Sequence, residues 1–210
     1  MIAQIQKIPK KTFWFLGIGF VAGLLWLSLL RFLLVTSNEV HYHANFGLYI
    51  NGQKEEFKSF TFYEEVQSCT EEGVDDPKSR VHMHNMEAGA VHVHDHAATW
   101  GHFFANLGYD LTNKSVTTDS GAFIDGADGK NLTFYLNGEV VSNIANRAIG
   151  NLDVLLINYG ADNNDTIHSH YDEIPRSAAE HNEKTDPSSC SGGRPLTLTE
   201  RAKRAVQFWN

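Results

Sequence analysis

Two copies of the pattern V-H-x-H, at residues 81–84 and 91–94, constrain this chain more than any other feature. They sit in RVHMHNMEAGAVHVHDHAATWGH (80–102), which holds six of the protein's eleven histidines. Side chains two apart on a strand share a face. His82 and His84 therefore share one face and Val81 and Met83 the other, and the same holds for His92 and His94 against Val91 and Val93. The turn-like segment around Gly89 predicts an antiparallel hairpin, with 82 opposite 94 and 84 opposite 92. Directly opposed residues have Cβ atoms about 4.5–5.5 Å apart. Four imidazoles then converge on one face, open to solvent, while the apolar face meets a core.

Neutral imidazole suits zinc, copper, iron and nickel. One H-x-H pair is ordinary on a half-exposed strand, but two matched pairs across one turn point to a metal ion, copper or zinc. The expected ligands are His82, His84, His92 and His94. His41 and His43 share parity with Asn45 on the polar face of the strand HYHANFGLYI, and they join the site if that strand neighbours the hairpin. His96 joins it if the second strand continues. Met83 and Met86 offer thioether sulfur for copper(I), but Met83 alternates away from His82 and His84 and reads as core. His102, His168, His170 and His181 are expected to lie outside the site.

The first 35 residues hold Lys7, Lys10, Lys11 and Arg31 and no acid, which leaves thirteen basic against twenty-five acidic residues in the remainder. Such a balance argues against nucleic-acid binding and concentrates cations locally. From Phe13 to Val35 the chain is overwhelmingly apolar, with Arg31 its one charge. Twenty-three helical residues reach about 35 Å, enough to cross a bilayer. Lys7, Lys10 and Lys11 precede this span, so the positive-inside rule predicts a cytoplasmic N-terminus and an extracytoplasmic C-terminal domain. The run is too long for a signal-peptide core and lacks an A-x-A ending, so an uncleaved signal anchor is expected.

The rest reads as β-rich. Asn51-Gly52 and Asn137-Gly138 each sit between strand-like arms and predict tight hairpins. In AATWGHFFANLGYDL, Thr99 is an N-cap signal, Trp100, Phe103, Phe104 and Leu107 recur at helical spacing, and Gly108 marks the end. Residues 115–131 read as a loop without the spacing of a calcium-binding EF-hand. Val154–Ile157 reads as a buried strand ended by Gly160. From 161 the chain turns polar. Thr197 and Glu200 match a capping box opening a C-terminal amphipathic helix, whose Ala202, Ala205, Val206 and Trp209 stripe is expected to dock on the domain. Cys69 and Cys190 are expected to form a disulfide in an oxidising compartment.

The expected fold class is α+β: a transmembrane helix (1–36, with its cytoplasmic stub), a histidine-rich β-rich domain (37–160), then a polar segment and helix (161–210). With the histidine hairpin treated as an insertion, the order of two strands, a helix and further strands resembles a β-grasp.

HANFGLYING, followed by V-H-x-H, A-V-H-V-H and T-W-G-H-F-F, resembles a group of uncharacterised membrane-anchored or secreted prokaryotic proteins with a histidine-rich domain. In that group an H-x-H strand precedes a G-x-(I/V)-H-(I/V) strand and a T-x-G-x-F-F helix. The resemblance covers residues 39–110, and NLTFYLNG and DVLLINYG fit the same pattern. It implies the domain boundary and carries no activity.

The function expected from the residues is an outward-facing, membrane-anchored metal-binding protein. A non-metal surface module for a protein partner, whose clustered histidines respond to mild acid, is the alternative. A metal-dependent hydrolase or lyase is the second alternative, because three histidines and a water make a catalytic zinc site. Asp95 falls on the strand face opposite the histidines, the sequence places no other acid beside them, and no hydrolase motif is present. A binding role is therefore favoured over an enzymatic one.

Overall fold

The computed structural model describes residues 10–35, 40–64, 77–184 and 196–207. The chain divides into two units, Glu39–Gly193 and a smaller one formed by Met1–Asn38 with Arg194–Asn210. It opens with helix α1 (Lys10–Leu34), and Lys11–Leu34 is long and apolar enough to cross a membrane.

The larger unit is the mixed α+β domain that the sequence predicts. Strands β1 (Tyr42–Ile50) and β2 (Gln53–Lys54) form the first hairpin. Asn51 and Gly52 take φ of +52° and +77°, the left-handed pair that a two-residue hairpin turn requires. Helix α2 (Pro77–Arg80) leads into β3 (Val81–His82) and β4 (Ala90–Val93), and helix α3 spans Trp100–Asn106. Next come β5 (Asp110–Leu111), β6 (Ser115–Thr118) and β7 (Gly121–Ile124), then β8 (Asn131–Leu136), β9 (Glu139–Val141) and β10 (Val154–Gly160). Helices α4 (Asn164–Asp172) and α5 (Ala178–Glu183) complete the unit.

The main sheet runs β3-β4-β1-β10-β8-β9, with β2 also on β1. The first and last long strands, β1 and β10, lie side by side and parallel at its centre. With β3 and β4 set aside, two strands and a helix are followed by further strands, but β5, β6 and β7 come between α3 and the β8–β9 hairpin and form a separate three-stranded sheet. The histidine hairpin extends the sheet on the β1 side, where β4 pairs with the first half of β1 and β2 with its end.

Alternation along β1 sorts the two faces. Ala44, Phe46 and Leu48 join the main core with Val81, Met83, Val91 and Val93. Trp100, Phe103 and Phe104 of α3 pack into the same core and are fully buried. Burying each such side chain contributes on the order of 2–3 kcal/mol. Thr99 caps α3 as expected, and the partner in its capping box is His102, whose Nδ1 accepts from the Thr99 N–H at 3.2 Å.

The opposite face carries Tyr49, Val154 and Leu156, covered by Ile167 and Ile174. Asn45, also on this face, is buried and satisfied on both ends. Its Nδ2 donates to Gly89 O and Ser177 Oγ, and its Oδ1 accepts from Ala178 N–H. This one side chain ties the start of α5 to the middle of the sheet.

Three expectations need correction. Residues 115–131 contain the β6–β7 hairpin rather than a loop. Its strands are four residues long with little apolar alternation, so the periodic signal is weak. The polar segment after 160 folds as α4 and α5 and belongs with the domain to Gly193. The C-terminal helix α6 (Leu198–Val206) has the predicted Thr197–Glu200 capping box but groups with α1 rather than with the domain. Arg201 donates Nε to Phe32 O at 3.1 Å and Nη2 to Leu33 O at 3.0 Å. Those carbonyls belong to the last turn of α1, where helix geometry calls for partners from outside the helix. Of the expected stripe Ala205 is buried, Ala202 and Val206 are exposed, and Trp209 lies outside the described residues.

Candidate metal centre

Strand pairing brings the histidines together. His43 on β1 lies opposite His92 on β4, and His82 on β3 lies opposite His92 from the other side. The expected adjacency of the HYHANF strand therefore holds, while the expected hairpin register does not. Val81 pairs with Val93 and His82 with His92, in place of 82 with 94 and 84 with 92. The shift is by two residues, which preserves side-chain parity. Val81, Met83, Val91 and Val93 all stay on the core face. The pairing with β4 ends after His82. Met83 leaves β4 to bridge Tyr63, and Asn85 and Met86 take left-handed conformations that turn the chain away.

His41, His43 and His92 each offer a ring nitrogen, and these lie within 4.8 Å of one another, close enough to hold one metal ion. His43 Nδ1 is 2.8 Å from Asn182 Oδ1, and His43 Nε2 is 2.8 Å from His92 Nδ1. An amide oxygen only accepts, so His43 Nδ1 carries the proton. In the metal-free neutral ring Nε2 is then an acceptor, and His92 Nδ1 donates to it; an ion held by His43 Nε2 takes the place of that donor. The proton on His92 Nδ1 leaves a lone pair on His92 Nε2, which is buried and has no hydrogen-bond partner among the described residues. A buried acceptor without a donor is costly, and a cation satisfies it.

Burial keeps both rings neutral. It is the main cause that lowers the His43 pKa from 6.5 to about 4, with His41, His181 and His84 adding to the effect and the Asn182 bond opposing it. His92 is pushed far lower, again chiefly by burial and then by His43, His84, His82 and His181. Metal ligands must be deprotonated, so these two imidazoles are in the ligating form at neutral and mildly acidic pH.

His92 is the hub of a wider cluster. Its ring centroid lies 3.6 Å from His84, 4.2 Å from His43, 5.8 Å from His181, 5.9 Å from His82 and 6.2 Å from His41. His94 stacks on His41 at 4.9 Å and on His82 at 5.3 Å. His82 Nδ1 is 2.7 Å from Lys78 O, so that nitrogen holds the proton and Nε2 the lone pair. All six expected ligands thus lie in one neighbourhood, and His41, His43 and His92 form its tightest group. The face is not open to solvent as expected. His43, His82, His84 and His92 are buried, because α5 folds over this end of the sheet.

That covering helix supplies residues the sequence reading missed. His181 lines the same cavity of about 80 Å³ as His41, His43, His84 and His92, and its Nε2 lies 2.8 Å from Glu87 Oε2. Asn182 accepts from both the ring and the backbone N–H of His43. The local sequence AAEHNE gives no sign of either role, because both contacts span more than ninety residues.

The other candidates fall elsewhere. His96 is exposed beyond the end of β4 and sits near Tyr42. His102 caps α3, and His168 is exposed on α4. His170 is buried on the opposite part of the sheet, stacked on Tyr49 at 4.0 Å and bonded to Asn158 Oδ1. Met83 is fully buried in the core and Met86 is exposed. Asp95 pairs with Arg80 at 2.6 Å and accepts from the Ala97 N–H. Cys69 and Cys190 lie outside the described residues. No protein-family model, curated protein or solved structure matches the chain.

Proposed function

We propose that this protein binds a zinc or copper ion through His41, His43 and His92, in a domain held outside the cytoplasm by the α1 anchor. The observation that carries the reading is the bare, buried Nε2 of His92 within a trio of imidazoles close enough to share one ion. His82 and His84 pack beside the His92 ring, and His94 stacks on His41. The donor set is all nitrogen, which suits zinc(II) and copper(II) better than the hard oxygen-seeking cations. The resemblance of residues 39–110 to histidine-rich proteins of prokaryotic cell surfaces belongs to the same reading. Binding rather than turnover is its content: among the described residues the one carboxylate lining the cavity, Glu87, is engaged by His181.

The test is a zinc(II) and copper(II) titration of the untagged full chain in detergent, beside His43→Ala and His92→Ala. One ion per chain, lost in both variants while the fold is retained, supports the reading. Absence of specific uptake by the folded parent refutes it.

A further inference from the structure

Three imidazoles leave one position of a tetrahedral ion to be filled, and the helix that covers the site carries a fourth imidazole. We propose that His181 is a ligand of the same ion, oriented by the carboxylate of Glu87. This inference rests on the metal-binding reading above.

The argument is geometric. Two imidazoles on one tetrahedral ion, with metal–nitrogen bonds of about 2.0–2.1 Å, bring their ring centroids to about 5 Å apart. His181 lies 5.3 Å from His43 and 5.8 Å from His92. The pairs within the trio span 4.2 to 6.2 Å. His181 therefore lies at ligand spacing from two of the trio, His43 and His92, just outside the tightest group of ring nitrogens. His84 does not: at 3.6 Å from His92 its ring packs against the neighbouring ring, too close to share a tetrahedral ion with it.

The second observation is the partner of His181. Its Nε2 faces Glu87 Oε2 at 2.8 Å. A carboxylate fixes the proton on that nitrogen and leaves the lone pair on Nδ1, the arrangement in which ligating histidines donate their other N–H to an outer carboxylate. His43 has the matching arrangement, with Asn182 as its outer acceptor. Adjacent residues of α5 thus serve two ligands at once, one as a ligand and one as a support. The 84–87 turn and α5 line the cavity together with His41, His43 and His92.

The experiment uses the untagged full chain in detergent with zinc(II) for affinity and cobalt(II) for coordination. The parent takes up one zinc. His181→Ala binds it at least 10–100-fold more weakly, and Glu87→Gln weakens it by about 10-fold, as loss of an outer-shell partner does. The exposed His168→Ala behaves as the parent. His181→Cys gives the decisive signal: its cobalt form gains a thiolate-to-cobalt charge-transfer band in the near ultraviolet that the parent lacks. A residue that only packs α5 in place cannot produce that band. A folded, cobalt-binding His181→Cys chain without the band overturns the inference, as does unchanged zinc affinity in His181→Ala, while the trio still binds. A parent that takes up neither metal fails at the earlier step and refutes the metal reading itself.

Discussion

His43 and His92 face each other across β1 and β4 with 2.8 Å between His43 Nε2 and His92 Nδ1. The direction of that hydrogen bond is set from outside the pair, by Asn182 Oδ1 on the far side of His43. Asn182→Leu removes this acceptor from both the ring and the backbone N–H. Zinc affinity is expected to fall about 10–100-fold and stability by about 1 kcal/mol. Asn182→Asp keeps an acceptor and is expected to retain most of the affinity. Competition with a chromophoric chelator measures both. Equal losses in the two variants would refute the tautomer argument.

The same burial that leaves His43 neutral makes the domain sensitive to acid. Its folded pKa is lowered to about 4 from 6.5, so the unfolded chain takes up a proton that the folded one refuses. The stability contributed by this group is full above pH 6.5 and is lost as pH falls toward about 4. His92 acts in the same direction and further down. Denaturant unfolding at pH 7, 5.5 and 4.5 without metal is expected to show a progressive loss. Flat or rising stability over that range would contradict it. A histidine sensor of mild acid titrates between about pH 5 and 7, above the range in which this pair takes up protons.

Gly101 offers a test in the core. In a free helix Gly→Ala is favourable by about 1 kcal/mol. Here a Cβ would meet Ala145 O at 2.7 Å, and the Gly101 N–H donates to that same oxygen at 2.8 Å. The contact is with backbone and has no rotamer to relieve it. Gly101→Ala is therefore expected to destabilise the domain, by about 1–3 kcal/mol as overpacking does, read from the urea midpoint. A stabilised variant would show that the α3–145 contact yields easily.

Lys7 before α1 and Lys10 and Lys11 in its first turn, with no acid in the first 35 residues, predict a cytoplasmic N-terminus. A phosphatase that is active only outside the cytoplasm, fused after Asn210, is expected to be active. An inactive fusion at normal expression would reverse the assigned orientation.

What the sequence makes legible follows local rules. Period-two alternation sends Val81, Met83, Val91 and Val93 inward and the histidines to the other face, whatever the register. The two Asn-Gly turns and the Trp100–Phe104 stripe are equally local. The register is not local: next to the pairing, Met83 bridges Tyr63, a residue outside the hairpin. The closing of the site by α5 depends on Asn45, Asn182 and Glu87 meeting partners more than ninety residues away. No window of sequence contains both ends of such a contact. His181 was set aside for that reason, and His170 likewise finds its partner, Tyr49, across the sheet.

Anomalous scattering from crystals of the full chain grown with zinc(II) tests the metal site most directly. The account predicts one peak at the zinc edge within about 2.0–2.1 Å of a ring nitrogen from each of His41, His43 and His92. A peak elsewhere on the domain, or none where those three rings are well ordered, would contradict it.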